Sequence, residues 1–167
     1  MIRFAAALIA AAAWTSALAA DFVPSAPRPI EFVVRDRNGD ARTAPQLRAR
    51  LTVLHFWASW CLPCRDELPA LQSLQSDLAG DGVRVVAVSV DRLGWDAIDR
   101  TTVKLDVRGL ELYHDRDREA TAALGVEALP TTILVDAEGR EVARMRGQGE
   151  WGNPDVRRDL LRFRDAP

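Results

Sequence analysis

The stretch FWASWCLPCRDELPAL, residues 56–71, holds both cysteines of the chain and decides its fold. Around its start, positions 51–57 form an apolar run rich in β-branched and aromatic side chains, which predicts a strand. After the cysteines, leucines recur at helical spacing from position 68 to position 78. Cys61 and Cys64 therefore lie where a strand ends and a helix begins.

The start of a helix favours a reactive thiolate on Cys61. Unpaired backbone N–H groups and the positive end of the helix dipole stabilise an anion at this position. Cys64 lies one turn further on, close enough to close a short disulfide ring and to attack a mixed disulfide formed at Cys61. Pro63 fits the first helical turn without loss of a hydrogen bond. The spacing therefore suits a two-electron dithiol–disulfide cycle.

Two other interpretations of the cysteine pair are weaker. A structural cross-link between residues so close in sequence removes little entropy from the unfolded chain, so it would stabilise the domain only modestly. A closed zinc site needs a second pair of ligands, and the two histidines, His55 and His114, show no ligand spacing with the pair. We therefore expect redox chemistry, with no bound metal and no cofactor.

The N-terminus predicts an exported protein. Residues 1–19 have the form of a secretory signal, with an early positive charge, an apolar centre and an Ala-x-Ala site ending at Ala19. We expect cleavage after Ala19; cleavage after Ala20 and an uncleaved membrane anchor are the alternatives. Export to the periplasm would let a disulfide persist. Residues 20–29 are rich in proline and predict a flexible lead-in, and residues 30–167 predict one domain.

The pattern of elements favours an α/β fold. Residues 83–90 are almost continuously apolar, which is typical of a strand covered on both faces in a parallel sheet. Strands and helices alternate up to Gly125, and a hairpin and a last helix follow. The other predicted elements are a hairpin over 30–43 with a turn at Asn38 and Gly39, a helix within 91–105, a strand at 110–113, a helix at 118–124, strands at 131–136 and 141–146, and a helix capped by Asn153.

Two motifs resemble the signatures of the thioredoxin-like fold: FWASWCLPC at 56–64 and GVEALPTT at 125–132. The continuation RDELPAL at 65–71, the N-terminal hairpin and the export signal resemble the extracytoplasmic TlpA/ResA-like branch of that fold. The resemblance implies a central mixed β-sheet flanked by helices, with an added N-terminal β-hairpin. It also implies a protein thiol–disulfide oxidoreductase in which Cys61 is the nucleophile, Cys64 resolves the mixed disulfide, and the two close a disulfide when oxidised.

The resemblance further assigns a substrate surface beside the cysteines. Pro130 would be a cis proline facing the pair, and the backbone before it, at Leu129, would be available to an extended substrate. Trp60 and Pro63 complete the expected substrate-binding residues. Without the resemblance, an ordinary trans proline at the start of a strand is the alternative.

Glu67 is a further candidate for the site. It lies three residues after Cys64, so on a helix it shares the side of Cys64 and of the leucines. Burial there would raise the pKa of its carboxyl and let it pass protons to and from the cysteines. A carboxylate whose head stays in water is the alternative. Members of the TlpA/ResA-like branch are similar in placing an active-site glutamate here, which favours the proton-transfer role.

The histidines differ from one another in their expected surroundings. Thioredoxins resemble this chain around position 55 but carry an acidic residue there, where this chain has His55. It is either a proton carrier or a buried, hydrogen-bonded residue with no catalytic part, and we favour the second. His114 lies in a polar stretch, YHDRD, and is expected to be solvated.

Charge and family resemblance together define the expected partners. With a net charge of −2 and no long basic run, nothing predicts nucleic-acid binding. The resemblance implies a monomeric reductant of protein disulfides in cytochrome c maturation or copper-centre assembly. Its partners would be a disulfide-bearing protein substrate and a membrane thiol–disulfide electron donor.

Two functions of other classes stay open from the sequence. A copper metallochaperone of similar fold would use both cysteines and His114 as ligands, although the wider cysteine spacing typical of such proteins is missing. A non-catalytic binding module would carry the same pair as an inert structural disulfide. The reactivity of Cys61 with alkylating reagents distinguishes that module from an enzyme.

Overall fold

The computed structural model describes residues 22–166, so the predicted signal at 1–19 lies outside the described residues. One eight-stranded mixed sheet, in the order β1-β8-β7-β4-β5-β6-β2-β3, forms the body of the protein. Within 22–166 no helix combines the length and apolar character needed to cross a membrane. The strands are β1 (Val23–Pro29), β2 (Val33–Arg35), β3 (Ala41–Thr43), β4 (Leu51–Trp57), β5 (Val83–Ser89), β6 (Glu111–His114), β7 (Thr131–Asp136) and β8 (Arg140–Arg146), and the helices are α1 (Leu62–Leu78), α2 (Trp95–Lys104), α3 (Glu119–Ala123) and α4 (Pro154–Asp165).

The centre of the sheet is β4, and every one of its residues is buried. It pairs in parallel with β5 and antiparallel with β7, while β6 continues the parallel part beyond β5. Such complete burial requires cover on both faces, which an apolar strand between helices receives. The predicted thioredoxin-like α/β fold with a mixed sheet is confirmed, and β4 delivers its carboxyl end directly to the cysteines.

The predicted N-terminal hairpin is also confirmed. Strands β2 and β3 pair antiparallel, with Val33 opposite Thr43. Asp36 shapes the turn between them, because its carboxylate accepts hydrogen bonds from the backbone N–H groups of Asn38 and Asp40. At Arg35 the hairpin joins the main sheet beside β6.

The prediction that residues 20–29 form only a flexible lead-in is wrong for the part that the structure describes. Strand β1 pairs antiparallel with β8, with an irregularity in register between Pro24 and Arg28. A proline lacks the N–H that a central strand needs, but β1 lies at the edge of the sheet, where one side of the strand needs no partner. Phe22 anchors the start of the strand, since its ring packs edge-on against Trp151 and Phe163.

Helices α1 and α4 cover the central strands. The leucines predicted at helical spacing along α1 are all buried, which confirms that this side faces the sheet. Helix α4 begins as predicted: the side chain of Asn153 accepts a hydrogen bond from the N–H of Asp155 at 2.9 Å, and Pro154 occupies the first turn. Val156 and Leu160 are its buried apolar residues. The sheet and these helices place the end of β4 and the start of α1 at one edge of the domain.

Candidate active site

The two cysteines form a disulfide at the start of α1. Their sulfur atoms are 2.01 Å apart, and Cys61 is the N-cap residue of the helix. The sulfur of Cys61 accepts the backbone N–H of Cys64 at 3.4 Å, so one of the free donors of the helix start is directed at it. Cys61 keeps 7% of its surface exposed, whereas Cys64 is fully buried. A reacting partner therefore meets Cys61 first.

Asp91 fixes the loop that leads from β4 to Cys61. Its carboxylate accepts the N–H of Ser59 at 2.8 Å and the hydroxyl of Ser59 at 2.6 Å. The hydroxyl of Ser89 donates to the same carboxylate at 2.8 Å. Asp91 follows β5, the parallel neighbour of β4, so both strand ends lie at the same edge of the sheet. Sequence reasoning missed this residue, although an aspartate directly after a buried parallel strand was a usable signal.

The expectation of a solvated His114 is wrong. The residue is 6% exposed, and its Nε2 lies 2.8 Å from the backbone carbonyl oxygen of Asp91. The reason is that β6 extends one residue further than predicted and pairs His114 with Ser89 on one side and Arg35 on the other. The polar residues that follow it in sequence indicated a loop, but the sheet includes the histidine.

Glu67 faces the core, as its spacing from Cys64 predicted. The residue is only 2% exposed, and its Oε1 accepts the backbone N–H of Gly149 and, at 2.8 Å, the indole N–H of Trp151. Burial disfavours the charged form and raises the pKa of the carboxyl to about 7, although these two hydrogen bonds act in the opposite direction. Trp151 is thus a hydrogen-bond donor to this carboxyl.

His55 lies next to Glu67 in the same buried space. Its Nδ1 is 2.9 Å from the hydroxyl of Thr132 on β7, and its Nε2 is 3.7 Å from Oε2 of Glu67. Among the described residues neither this Nε2 nor this Oε2 has a hydrogen-bond partner. Complete burial lowers the pKa of His55 to about 3, so the imidazole is neutral at physiological pH. A neutral ring and a carboxyl that titrates near neutrality therefore share one buried space.

The four expected substrate residues differ in burial: Trp60 and Pro63, which flank Cys61 closely in sequence, are exposed, Leu129 is half-buried and Pro130 is buried. The Leu129–Pro130 peptide bond is cis, and Pro130 immediately precedes β7. Trp60 is 66% exposed, and it lines a cavity of about 210 Å³ together with Leu129. Pro63 is exposed in the first turn of α1. Trp60 and Leu129 thus form two sides of one groove.

Within residues 22–166 no three His, Cys, Asp or Glu side chains come together as a metal-binding group. The histidine considered for copper, His114, has its Nε2 on the carbonyl oxygen of Asp91.

A disulfide of the Cys-x-x-Cys type between a central strand and a helix, with a cis proline before the neighbouring strand, defines the thioredoxin-like class. Sequence comparison matches residues 25–143 to the AhpC/TSA family. The chain therefore belongs to the AhpC/TSA family of thioredoxin-like proteins.

Comparisons with individual proteins agree with this class. The chain is 32% identical over 116 residues to the thiol-disulfide oxidoreductase ResA of Bacillus subtilis, which covers 70% of this chain and 64% of that protein. The structure of dsbF from MTB, in mixed oxidized and reduced forms, is 25% identical with a TM-score of 0.67, covering 79% of this chain and 96% of the other. The thioredoxin domain of a thiol-disulfide oxidoreductase from Bacteroides vulgatus shares the fold at 19% identity, with a TM-score of 0.69 and coverage of 86% and 99%.

Proposed function

We propose that this protein is a thiol–disulfide oxidoreductase that works through a Cys61–Cys64 dithiol–disulfide cycle. The observation that carries the proposal is the asymmetry of the pair: Cys61, at the N-cap of a helix, keeps 7% of its surface exposed and is bonded to the fully buried Cys64. The exposed position suits attack on a partner, and the buried one suits an internal second step. The similarity to ResA supports the same activity.

In the reducing direction the cycle consists of two exchanges. The thiolate of Cys61 attacks one sulfur of the substrate disulfide; a Cys61–substrate bond forms, and the other substrate sulfur leaves as a thiolate that takes up a proton. Cys64 then loses its proton and attacks the sulfur of Cys61, which releases the second substrate thiolate. Two electrons have passed from the pair to the substrate, and the pair ends as the disulfide that the structure contains.

Glu67 is proposed as the group that exchanges protons with Cys64. It lies one helical turn from Cys64 on the buried side of α1, where water has little access. A pKa of about 7 allows the carboxyl both to accept and to return a proton near neutral pH. Because His55 is neutral at physiological pH, it does not compensate the negative charge of the Glu67 carboxylate. It is therefore not proposed as a second acid.

The substrate is proposed to lie across Trp60, Pro63, Leu129 and Pro130 as an extended segment. Trp60 and Leu129 line the same groove, and the exposed indole offers apolar contact area next to Cys61. A protein disulfide is therefore a better fit than a small hydrophilic disulfide.

The cellular role is proposed to be that of a periplasmic reductant in cytochrome c maturation or copper-centre assembly, restored by a membrane thiol–disulfide electron donor. The support is the resemblance of the CLPCRDELPAL stretch and the N-terminal hairpin to the TlpA/ResA-like branch, together with the export signal in the sequence.

A trapping experiment tests the proposed function. With Cys64 replaced by alanine and the full chain exported, Cys61 should accumulate covalent mixed disulfides with periplasmic proteins, because the resolving step is missing. A Cys61→Ala/Cys64→Ala double variant is the control and should retain nothing. Recovery of no mixed disulfide from the single variant, with the protein exported and folded, would contradict the enzymatic activity.

A further inference from the structure

A second cavity, of about 440 Å³, opens at the edge of the sheet where β5 and β6 end. Four arginines from three separate segments line it, and we call it the arginine pocket: Arg35 at the end of β2 and Arg37 in the turn that follows, Arg92 after β5, and Arg116 after β6. The protein as a whole carries a net charge of −2, so this is a local concentration of positive charge on an acidic molecule.

The walls of the arginine pocket are held in place. Arg37 makes two hydrogen bonds to the carboxylate of Asp99, at 2.6 and 2.7 Å, and its guanidinium lies 4.6 Å from the centre of the Trp95 ring. These contacts join the hairpin turn to helix α2. The one acidic residue among the lining side chains, Asp36, is paired with Arg42 at 2.6 Å.

The other three arginines form no ion pair with a carboxylate among residues 22–166. Arg35 donates to the backbone carbonyl oxygen of Gly39 at 3.2 Å. Within the described part of the chain no ion pair involves Arg35, Arg92 or Arg116, and the latter two are exposed. The cavity thus presents three positive charges that an anionic ligand can neutralise.

The arginine pocket lies on the same edge of the sheet as Cys61. Trp57 at the end of β4 pairs with Ser89 on β5, which pairs with His114 on β6, and His114 lines the pocket. Adjacent strands are about 4.8 Å apart, which places His114 roughly 10 Å across the sheet from Trp57. Asp91 connects the two regions, because its carboxylate holds Ser59 while its carbonyl oxygen contacts His114.

We propose that the arginine pocket binds an acidic segment of the protein whose disulfide reacts with Cys61; this inference rests on the proposed function. Guanidinium groups match carboxylates in geometry and charge. Leu93 on the pocket lining is 72% exposed and adds apolar contact area, as Trp60 does beside Cys61. An extended chain covers about 3.3 Å per residue, so glutamates or aspartates roughly three to five residues from the substrate cysteine would reach the arginines.

Synthetic peptides test this inference. Each carries one cysteine as a mixed disulfide with a coloured aromatic thiol, whose release by reduced protein gives the rate constant of exchange. One peptide has three glutamates placed about four residues from the cysteine, and a matched peptide has glutamines there. Both are compared on the wild type, on Arg92→Gln/Arg116→Gln, and on a control double variant, Arg48→Gln/Arg108→Gln. The control removes the same charge from exposed arginines next to the opposite ends of the strands, before β4 and before β6.

With wild-type protein at low salt, the glutamate peptide should react about tenfold faster than the glutamine peptide. High salt and the Arg92→Gln/Arg116→Gln variant should abolish that advantage, while the control variant keeps it. Equal rates for the two peptides on wild-type protein would overturn this inference and leave the proposed function intact. Equal losses in both double variants would overturn it too, because net charge rather than the pocket would then set the rate. Failure of the wild type to react with either peptide would overturn the proposed function itself.

Discussion

Two acidic residues near the disulfide, Asp91 and Glu67, are equally buried, but their carboxyl groups have different hydrogen-bond partners. Each residue is 2% exposed. Both oxygens of Asp91 accept hydrogen bonds, from Ser59 and Ser89, and Asp91 is tied to the active-site loop. Glu67 has two hydrogen bonds on one oxygen, while the other oxygen lies 3.7 Å from a neutral histidine without a hydrogen-bond partner among the described residues.

At equal burial, the two carboxyl groups differ in how many of their oxygen atoms accept hydrogen bonds. Asp91 anchors the active-site loop, because its two oxygen atoms accept hydrogen bonds from Ser59 and Ser89. For Glu67, burial outweighs the hydrogen bonds from Gly149 and Trp151 and raises the pKa of the carboxyl to about 7. We therefore expect a substitution of Asp91 to lower overall stability. A substitution of Glu67 should change the pH dependence of stability and the kinetics of disulfide exchange.

The largest expected effect is on stability, from Asp91→Ala. The substitution leaves the half-buried N–H and hydroxyl of Ser59 and the buried hydroxyl of Ser89 without their acceptor, which should lower the free energy of unfolding by about 4 kcal/mol. Urea denaturation of the oxidised protein measures it. Asp155→Ala is the control: its side chain forms an exposed ion pair with Arg158, and its loss should cost less than about 1 kcal/mol. Similar losses in both variants would contradict the anchoring role.

The next effect concerns stability against pH and distinguishes wild type from Glu67→Gln. The carboxyl has an ordinary pKa of 4.5 in the unfolded chain and about 7 in the folded one, so between these values the folded state binds the extra proton. Wild-type stability should therefore fall relative to the variant as pH rises from about 4.5 to 8, by roughly 3 kcal/mol. Parallel curves of unfolding free energy against pH would show that Glu67 is ionised in the fold.

His55 acts in the opposite direction and at lower pH. Its pKa is lowered from 6.5 to about 3, so its neutral form contributes stability that is complete above 6.5 and is lost as pH falls toward 3. This contribution of His55 is present in both proteins. The difference in unfolding free energy between wild type and Glu67→Gln therefore reports the contribution of the Glu67 carboxyl.

A kinetic effect of similar size should follow from the same variant. If Glu67 accepts the proton of Cys64, Glu67→Gln should slow the resolving step about 100-fold while leaving the first attack by Cys61 near its wild-type rate. Quenched-flow measurement of the mixed disulfide separates the two steps, and accumulation of that intermediate is the expected sign. Equal slowing of both steps would indicate a general disturbance of the site rather than proton transfer.

The sequence predicted the local part of this site and not the part that distant segments build. Spacing within one continuous stretch predicted the strand, the cysteine pair and the buried side of α1. The same spacing predicted that Glu67 lies on this buried side and that its pKa is raised. The partners of Glu67 come from the loop containing Gly149 and Trp151, more than 80 positions away in the chain, where no local pattern indicates a contact.

The other differences have the same origin. Strand β1 was not predicted because its prolines indicated a loop, although a strand at the edge of a sheet tolerates them. The burial of His114 was not predicted because the polar residues after it indicated a loop, although the histidine is the last residue of a strand. The arginine pocket combines three segments that carry no joint motif, so only the folded chain brings its charges together.

The smallest expected effect is on the pKa of Glu67 itself, from Trp151→Phe. The indole N–H donates to Oε1 at 2.8 Å and holds the pKa of the carboxyl down. A hydrogen bond with a net value of about 1 kcal/mol corresponds to roughly 0.7 pH unit, so its loss should raise the pKa by that amount. Carbon-13 NMR titration of the Glu67 carboxyl measures the change, with Glu67→Gln identifying the signal. The N–H of Gly149 remains in place, so the carboxyl should still titrate near neutrality. An unchanged or lower pKa would mean that burial by the ring, rather than its N–H, is what the tryptophan contributes.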